Sequence, residues 1–182
     1  MYTEELGVQE RDIVFFDCEF SGLDMIHEIV EIGWVKVRAK TFEVLSEHSI
    51  KIRPTRLESA NQESLAISGY NLEGWRDAVD LKSALQIFLR ETDGVILAGH
   101  NVAVDLFFLK KSIEECGLAA NYFYKSLDTF SMAWTKLYGD DRFQKFSLSE
   151  LAPHFGVDMG RHHQALDDAR TTYGVFKKLM ER

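Results

Sequence analysis

Proline and cysteine are both scarce, two of each in 182 residues, and no apolar run is long enough to cross a bilayer. Cys18 and Cys116 give no zinc-type spacing; they fit a reducing compartment, one as a buried strand thiol and one near a helix end. The N-terminus, MYTEELGVQERD, is acidic and polar, unlike a secretory signal or a transit peptide, so a soluble, cytoplasmic protein without membrane association is expected. Repeats, low-complexity tracts and composition breaks are also missing, and residues 1–182 read as a single domain, with 1–11 as a flexible N-terminal segment. Excess positive charge is absent too: a net charge of −8 argues against a protein that grips long nucleic acid through a basic face. It leaves room for a nucleic-acid enzyme, because divalent cations in a carboxylate-rich pocket remove negative charge where a phosphate must sit.

What is present is a set of apolar segments broken by acids. Residues 12–20 read as a buried strand, 28–37 as a second, and 41–54 as a third that stops near Pro54, the short connections favouring an antiparallel meander. Residues 77–93 have helical periodicity, with Val79, Leu81, Leu85, Phe88 and Leu89 on the apolar side. The short strand VILAGHN leads into a helix, VAVDLFFLKKSIEECG, stopped by Gly117, in which Phe107 is expected to pack under a neighbouring helix. A further short strand in YFYKSLDTF, helices in TFSMAWTKLYG and SLSELAPHFG, and a long amphipathic helix from Ala165 complete the chain. Three strands followed by alternating helix and strand predict an α/β domain, a mixed β-sheet with a three-stranded antiparallel meander plus parallel strands, flanked by helices.

In IVFFDCEFSG, Asp17 and Glu19 lie two apart and therefore share one face of the first strand. Two ionised carboxylates on a half-buried surface repel each other and lose hydration, unless a cation, a proton or a hydrogen-bond network compensates. A solvated strand end accounts for that pair taken alone. At 100° per residue, however, Asp105 falls on the face of its helix that carries Val102, Leu109, Ile113 and Cys116. Asp168 falls beside Thr172, Val175 and Leu179, whereas Asp167 points nearly opposite, to water, as an ordinary first-turn acid. Four acids at element ends, each interrupting its own apolar pattern, form an all-oxygen set that suits Mg²⁺ or Mn²⁺ and suits zinc poorly. Two-metal phosphoryl transfer is the chemistry such a set supports best. A general base for water is offered by His163 or its neighbour His162, between which residue type does not choose.

These residues stand in ordered motifs. DCEFSG at 17–22 with IVEIG downstream, HNVAVD at 100–105 and HQALDDA at 163–169 resemble the DEDDh branch of the DnaQ-like, ribonuclease H-like 3′–5′ exonucleases, and SLDTFSMA and SLSELAPHFGV resemble the segments between the second and third motifs. The resemblance implies a ribonuclease H-like fold, with Asp17, Glu19, Asp105 and Asp168 holding two divalent cations, Mg²⁺ or Mn²⁺. It implies His163 as the base, and release of nucleoside 5′-monophosphates from the 3′ end of single-stranded DNA or RNA. It also implies a nucleotide pocket made by Phe20, Ser21, Gly22 and Leu23, with Asn101 positioning the second motif. Phe20, where many proofreading members have Thr, tilts the expectation slightly toward RNA or oligonucleotides. Ser68 stands where some members carry a histidine, and the loop after the first strand is about a residue short of the commoner pattern. The rival readings are a polymerase-associated or binding module, with a polymerase or a second copy as partner, and a phosphoesterase acting on small nucleotides.

Overall fold

A computed structural model describes residues 6–160 and 164–181. Five strands, β1 (Ile13–Phe20), β2 (Ile29–Val37), β3 (Val44–Lys51), β4 (Ile96–Gly99) and β5 (Ser126–Asp128), form one sheet in the order β3-β2-β1-β4-β5. The first three make the expected antiparallel meander, while β4 and β5 add parallel to β1. Among the described residues the helices are α1 (Gln62–Ile67), α2 (Leu81–Glu91), α3 (Ala103–Glu115), α4 (Thr129–Leu137), α5 (Leu148–Phe155) and α6 (Ala165–Met180). None of the described helices is long and apolar enough to cross a membrane.

Period-two alternation along β1 sorts its side chains between the two faces. Val14, Phe16 and Cys18 join Trp34, Leu85, Phe88, Phe108 and Leu109 in one core, under α2 and α3. Ile13 and Phe15 join Val35, Ile96, Ala98, Ala169 and Phe176 in a second core, under α6. Asp17 and Glu19 continue the second row and so point toward the α6 layer. A third cluster binds α4 and α5 to α6.

Several boundaries differ from the expectation. β3 begins only at Val44, because the chain turns back through Lys40 and Phe42, both at positive φ (65° and 56°). Val79 belongs to no helix: it bridges Ile52, and Asp80 caps α2 by accepting from the Ser83 N–H. The polar stretch after β3 hides α1, whose six residues are too few to show a period but whose start is marked by Asn61, accepting from the Ser64 N–H. Phe107 is 43% exposed rather than packed under a helix, its ring edge-on to Phe108. Of the N-terminal segment, Val8–Glu10 form a 3-10 turn, and Arg11 is buried, donating to the Gly94 and Leu6 carbonyls. Cys18 and Cys116 are free thiols.

Candidate active site

The strand order reverses between β1 and β4, where β3-β2-β1 runs to one side and β4-β5 to the other. Crevices at the carboxyl ends of parallel strands at such a point are where α/β sheets commonly bind ligands. The two strands pair only from Ile13↔Ile96 to Phe15↔Ala98, so the part of β1 that carries Asp17 and Glu19 runs on past the end of its parallel partner. Asp105 takes over at that edge: its Oδ1 accepts from the Cys18 N–H at 3.0 Å. The acid read as facing inward on α3 therefore docks the helix start onto β1 as well as bringing a carboxylate to the site.

Asp168 arrives from the other layer. In β2, Gly33 lies opposite Asp17, and a Cβ there would stand 2.1 Å from the Leu166 nitrogen and 2.2 Å from the Ala165 carbonyl carbon. Only a residue without a side chain lets the first turn of α6 approach the sheet so closely. One oxygen each of Asp17, Glu19 and Asp168 then lies within 4.8 Å of the others. Asp105 stands beside this trio rather than within it, held by the Cys18 amide.

Glu19, Asp105 and Asp168 are buried, at 8%, 6% and 5% exposure. Burial, followed by the charges of Asp105, Asp168, Glu19 and Glu31, holds the Asp17 carboxyl well above the ordinary carboxylate range. Burial and then Asp168 push Glu19 up to about 8, and burial pushes Asp105 up to about 7. Such a group of acids favours bound protons or bound cations, and its donors are all oxygen, as hard divalent ions require.

Residues 14–176 match the exonuclease family model designated RNase_T. The chain belongs to that family. In an alignment that covers 95% of its length, it is 32% identical to a DNA polymerase III PolC-type protein of Caldanaerobacter subterraneus subsp. tengcongensis, and it spans about 12% of the length of that relative. Among solved structures, E. coli Exonuclease I in complex with a dT13 oligonucleotide has a TM-score of 0.77 at 14% identity, over 94% of this chain and 41% of that one. The nuclease domain of 3′hExo, a DEDDh family member bound to rAMP, has a TM-score of 0.73 at 17% identity, over 92% of this chain and 90% of that one. These structures share the fold, so the expected ribonuclease H-like architecture stands, and the exonuclease resemblance read from the motifs stands on the family model.

Within this exonuclease domain, the other expected site residues fall as follows. His163 and His162 lie outside the described residues. Phe20 packs its ring on Phe108 with centroids 4.5 Å apart, and Leu23 is 70% exposed just beyond it. Ser21 is buried and committed to the turn: its N–H donates to the Glu28 carbonyl and its Oγ accepts from the Glu28 N–H. Gly22 has φ 152°, and a Cβ there would lie 2.4 Å from the His27 ring. Asn101 sits at φ 57°, a left-handed conformation that Asn tolerates, and its N–H donates to Asp128 Oδ1 at 2.8 Å. Beside it, His100 Nδ1 is 2.9 Å from Thr129 Oγ1, which in turn lies 3.2 Å from the Gly99 carbonyl.

Two further acids, Asp167 and Glu31, stand close to the site in surroundings that the sequence pattern does not reveal. Asp167 does not face open water: its carboxylate pairs with Arg170 Nη1 at 3.0 Å, and Arg170 also grips Glu47 of β3 at 2.6 Å, tying α6 to the sheet edge. The helical wheel placed Asp167 correctly away from Asp168, but β3 reaches under that side of the helix. Glu31 of β2 lies opposite Glu19, is 5% exposed and accepts from the Ser49 hydroxyl, and burial raises its pKa. Its signal was the acid inside IVEIG, one alternation before Gly33; the pairing that sets it against Glu19 has no mark in the sequence.

Proposed function

We propose that this chain is a metal-dependent 3′–5′ exonuclease that removes nucleoside 5′-monophosphates from single-stranded ends. The observation that carries this reading is the convergence of Asp17, Glu19 and Asp168 within 4.8 Å of one another in a chain of the exonuclease family. Asp17, Glu19, Asp105 and Asp168 are the residues that would hold two divalent cations. When bound, the cations would supply Lewis-acid stabilisation of the charge that develops on the phosphate. The raised pKa values of Asp17, Glu19 and Asp105 are the cost that a bound cation would offset.

The remaining work falls to the chain's own side chains. His163, one residue before the α6 N-cap Gln164, would accept the proton of the attacking water, an assignment that rests on the motif HQALDDA. The loop after β1 would receive the terminal nucleotide, with Leu23 and Phe20 on the base side. A terminal nucleotide held in this way must be unpaired, which costs a few kcal/mol at a duplex end. The oligonucleotide bound to Exonuclease I and the rAMP bound to 3′hExo are consistent with single-strand substrates and monophosphate products.

The test is a time course on matched 5′-labelled single-stranded DNA and RNA with Mg²⁺, Mn²⁺ or EDTA. A metal-dependent ladder shortening from the 3′ end, lost in Asp168→Ala, is the expected result and also reports the preferred sugar. No shortening of either strand would overturn the reading in favour of a nucleotide phosphoesterase or a binding module. A second reading, a proofreading role beside a polymerase, is favoured by the PolC-type relative. It predicts faster cleavage of mismatched than of matched primer ends.

A further inference from the structure

The loop between β1 and β2 exposes three apolar side chains, Leu23, Met25 and Ile26, at 70%, 70% and 54%. They follow Glu19 by four to seven positions and stand on a turn of only a few residues. Exposed apolar groups on a free loop would move independently and bind weakly, since ordering them on contact consumes interaction energy. This loop is not free.

Its anchor is His27, a residue with 6% exposure that no motif singled out. The imidazole Nδ1 accepts from the Asp24 N–H at 2.9 Å, so that nitrogen carries no proton. Nε2 must then carry the proton, and it lies 3.0 Å from the Ser59 carbonyl, the right partner for a donor. One tautomer of the neutral ring satisfies both contacts. The backbone closes the same turn, with the His27 N–H donating to the Asp24 carbonyl at 3.0 Å. The ring also fills the space over Gly22, where any Cβ would collide with it at 2.4 Å. Outside the loop, Lys111 of α3 donates to the His27 carbonyl at 2.6 Å, and the Asn61 N–H donates to the Ser21 carbonyl at 2.8 Å. A single side chain thus fastens the turn that bears the ridge to the segment ahead of α1, while its backbone is fastened to α3.

We propose that His27 is a positioning residue for the substrate end, its imidazole holding the Leu23–Met25–Ile26 ridge rigid against the terminal base of a single strand. The inference rests on the exonuclease reading and assigns that reading a specific element. His27 touches neither the acid cluster nor the reacting atoms; it acts through the ridge.

The two contacts can be separated. In His27→Asn the amide oxygen can replace Nδ1 and keep the Asp24 bond, while in His27→Gln the amide nitrogen can replace Nε2 and keep the Ser59 bond. Steady-state cleavage of a short single-stranded oligonucleotide with Mg²⁺ is measured for wild type, both variants and His27→Ala. The expected result is KM raised about tenfold in His27→Ala with kcat within about twofold, and smaller KM increases in the two amide variants. The ridge variant Leu23→Ala/Met25→Ala changes exposed side chains only, so it keeps the test decisive if a His27 variant does not fold. It should raise KM similarly, and its effect should not add to that of His27→Asn, as coupled groups require. An unchanged KM in the ridge variant or in a folded His27→Ala, or a fall in kcat alone, overturns the proposal while the exonuclease reading stands. A wild type without metal-dependent 3′ shortening overturns both, and in that case nitrogen NMR of the His27 ring would still report whether the Nε2–H clamp exists.

Discussion

Asp168 and Asp167 are neighbours in the chain with different surroundings. The first lies in the acid trio, the second in an ion pair with Arg170 that is partly open to solvent. Asp168→Ala should lower Mg²⁺-dependent turnover by at least about 100-fold, since even residues that only orient metal ligands typically cost 10–100-fold. Asp167→Ala should keep most turnover and lose about 1 kcal/mol or less of stability, the range of a partly exposed ion pair; parallel assays and urea melts of the two variants check this. Glu19 gives a pH signature. Its carboxyl is raised from 4.5 to about 8 in the folded protein, so between those values the native state binds more protons than the unfolded chain. Stability from this group is therefore present at low pH and is lost as pH rises through the window, the reverse of a salt-bridged acid. In EDTA, melting temperature should fall between about pH 5 and pH 9 by more in wild type than in Glu19→Gln, and saturating Mg²⁺ should remove the difference by favouring the ionised form. The acids were legible because each breaks an apolar row. Glu31 and the role of His27 were not, because both depend on what lies across a strand pair or a turn.

At the level of elements, the approach of α6 to β2 sets the site. Gly33→Ala should cost about 1–3 kcal/mol, the usual range for overpacking, because the new methyl meets backbone rather than a movable side chain. By pushing Asp168 away from β1 it should also weaken Mn²⁺ binding, which a titration followed by paramagnetic relaxation would measure. At the far end of the same helix, Lys136 of α4 donates to the Leu179 and Glu181 carbonyls at 2.9 and 2.6 Å. A cation there complements the negative end of α6, and Lys136→Met should cost about 1 kcal/mol in a chemical melt with turnover unchanged. The long helices and the central strands were readable from their periods. α1 shows no readable period because six residues carry less than two turns, and Val79 reads as helical because an apolar residue before a capping Asp looks the same whether it bridges a strand or begins a turn.

Across the whole molecule, the sheet separates the site's parts. Asp17 and Glu19 come from the centre of the sheet, Asp105 from the layer on one face and Asp168 from the layer on the other. The fold class followed from the order of elements, since three consecutive strands with short links pair as a meander and later strands with helical crossovers add in parallel. What that order did not disclose is that β4 stops short beside β1, leaving the Cys18 amide to Asp105.

That arrangement also fixes when activity can arise during folding. The β1-β2-β3 meander closes short loops and can form early, whereas pairing β1 with β4 links residues 13 and 96, and the acid trio links residue 17 with residue 168. A refolding chain should therefore recover amide protection in its meander before it recovers any nuclease activity, with the lag ending as the first turn of α6 settles over Gly33. Until that last docking step the nascent domain holds its acids apart, and a partly folded copy carries no hydrolytic hazard to the nucleic acid around it.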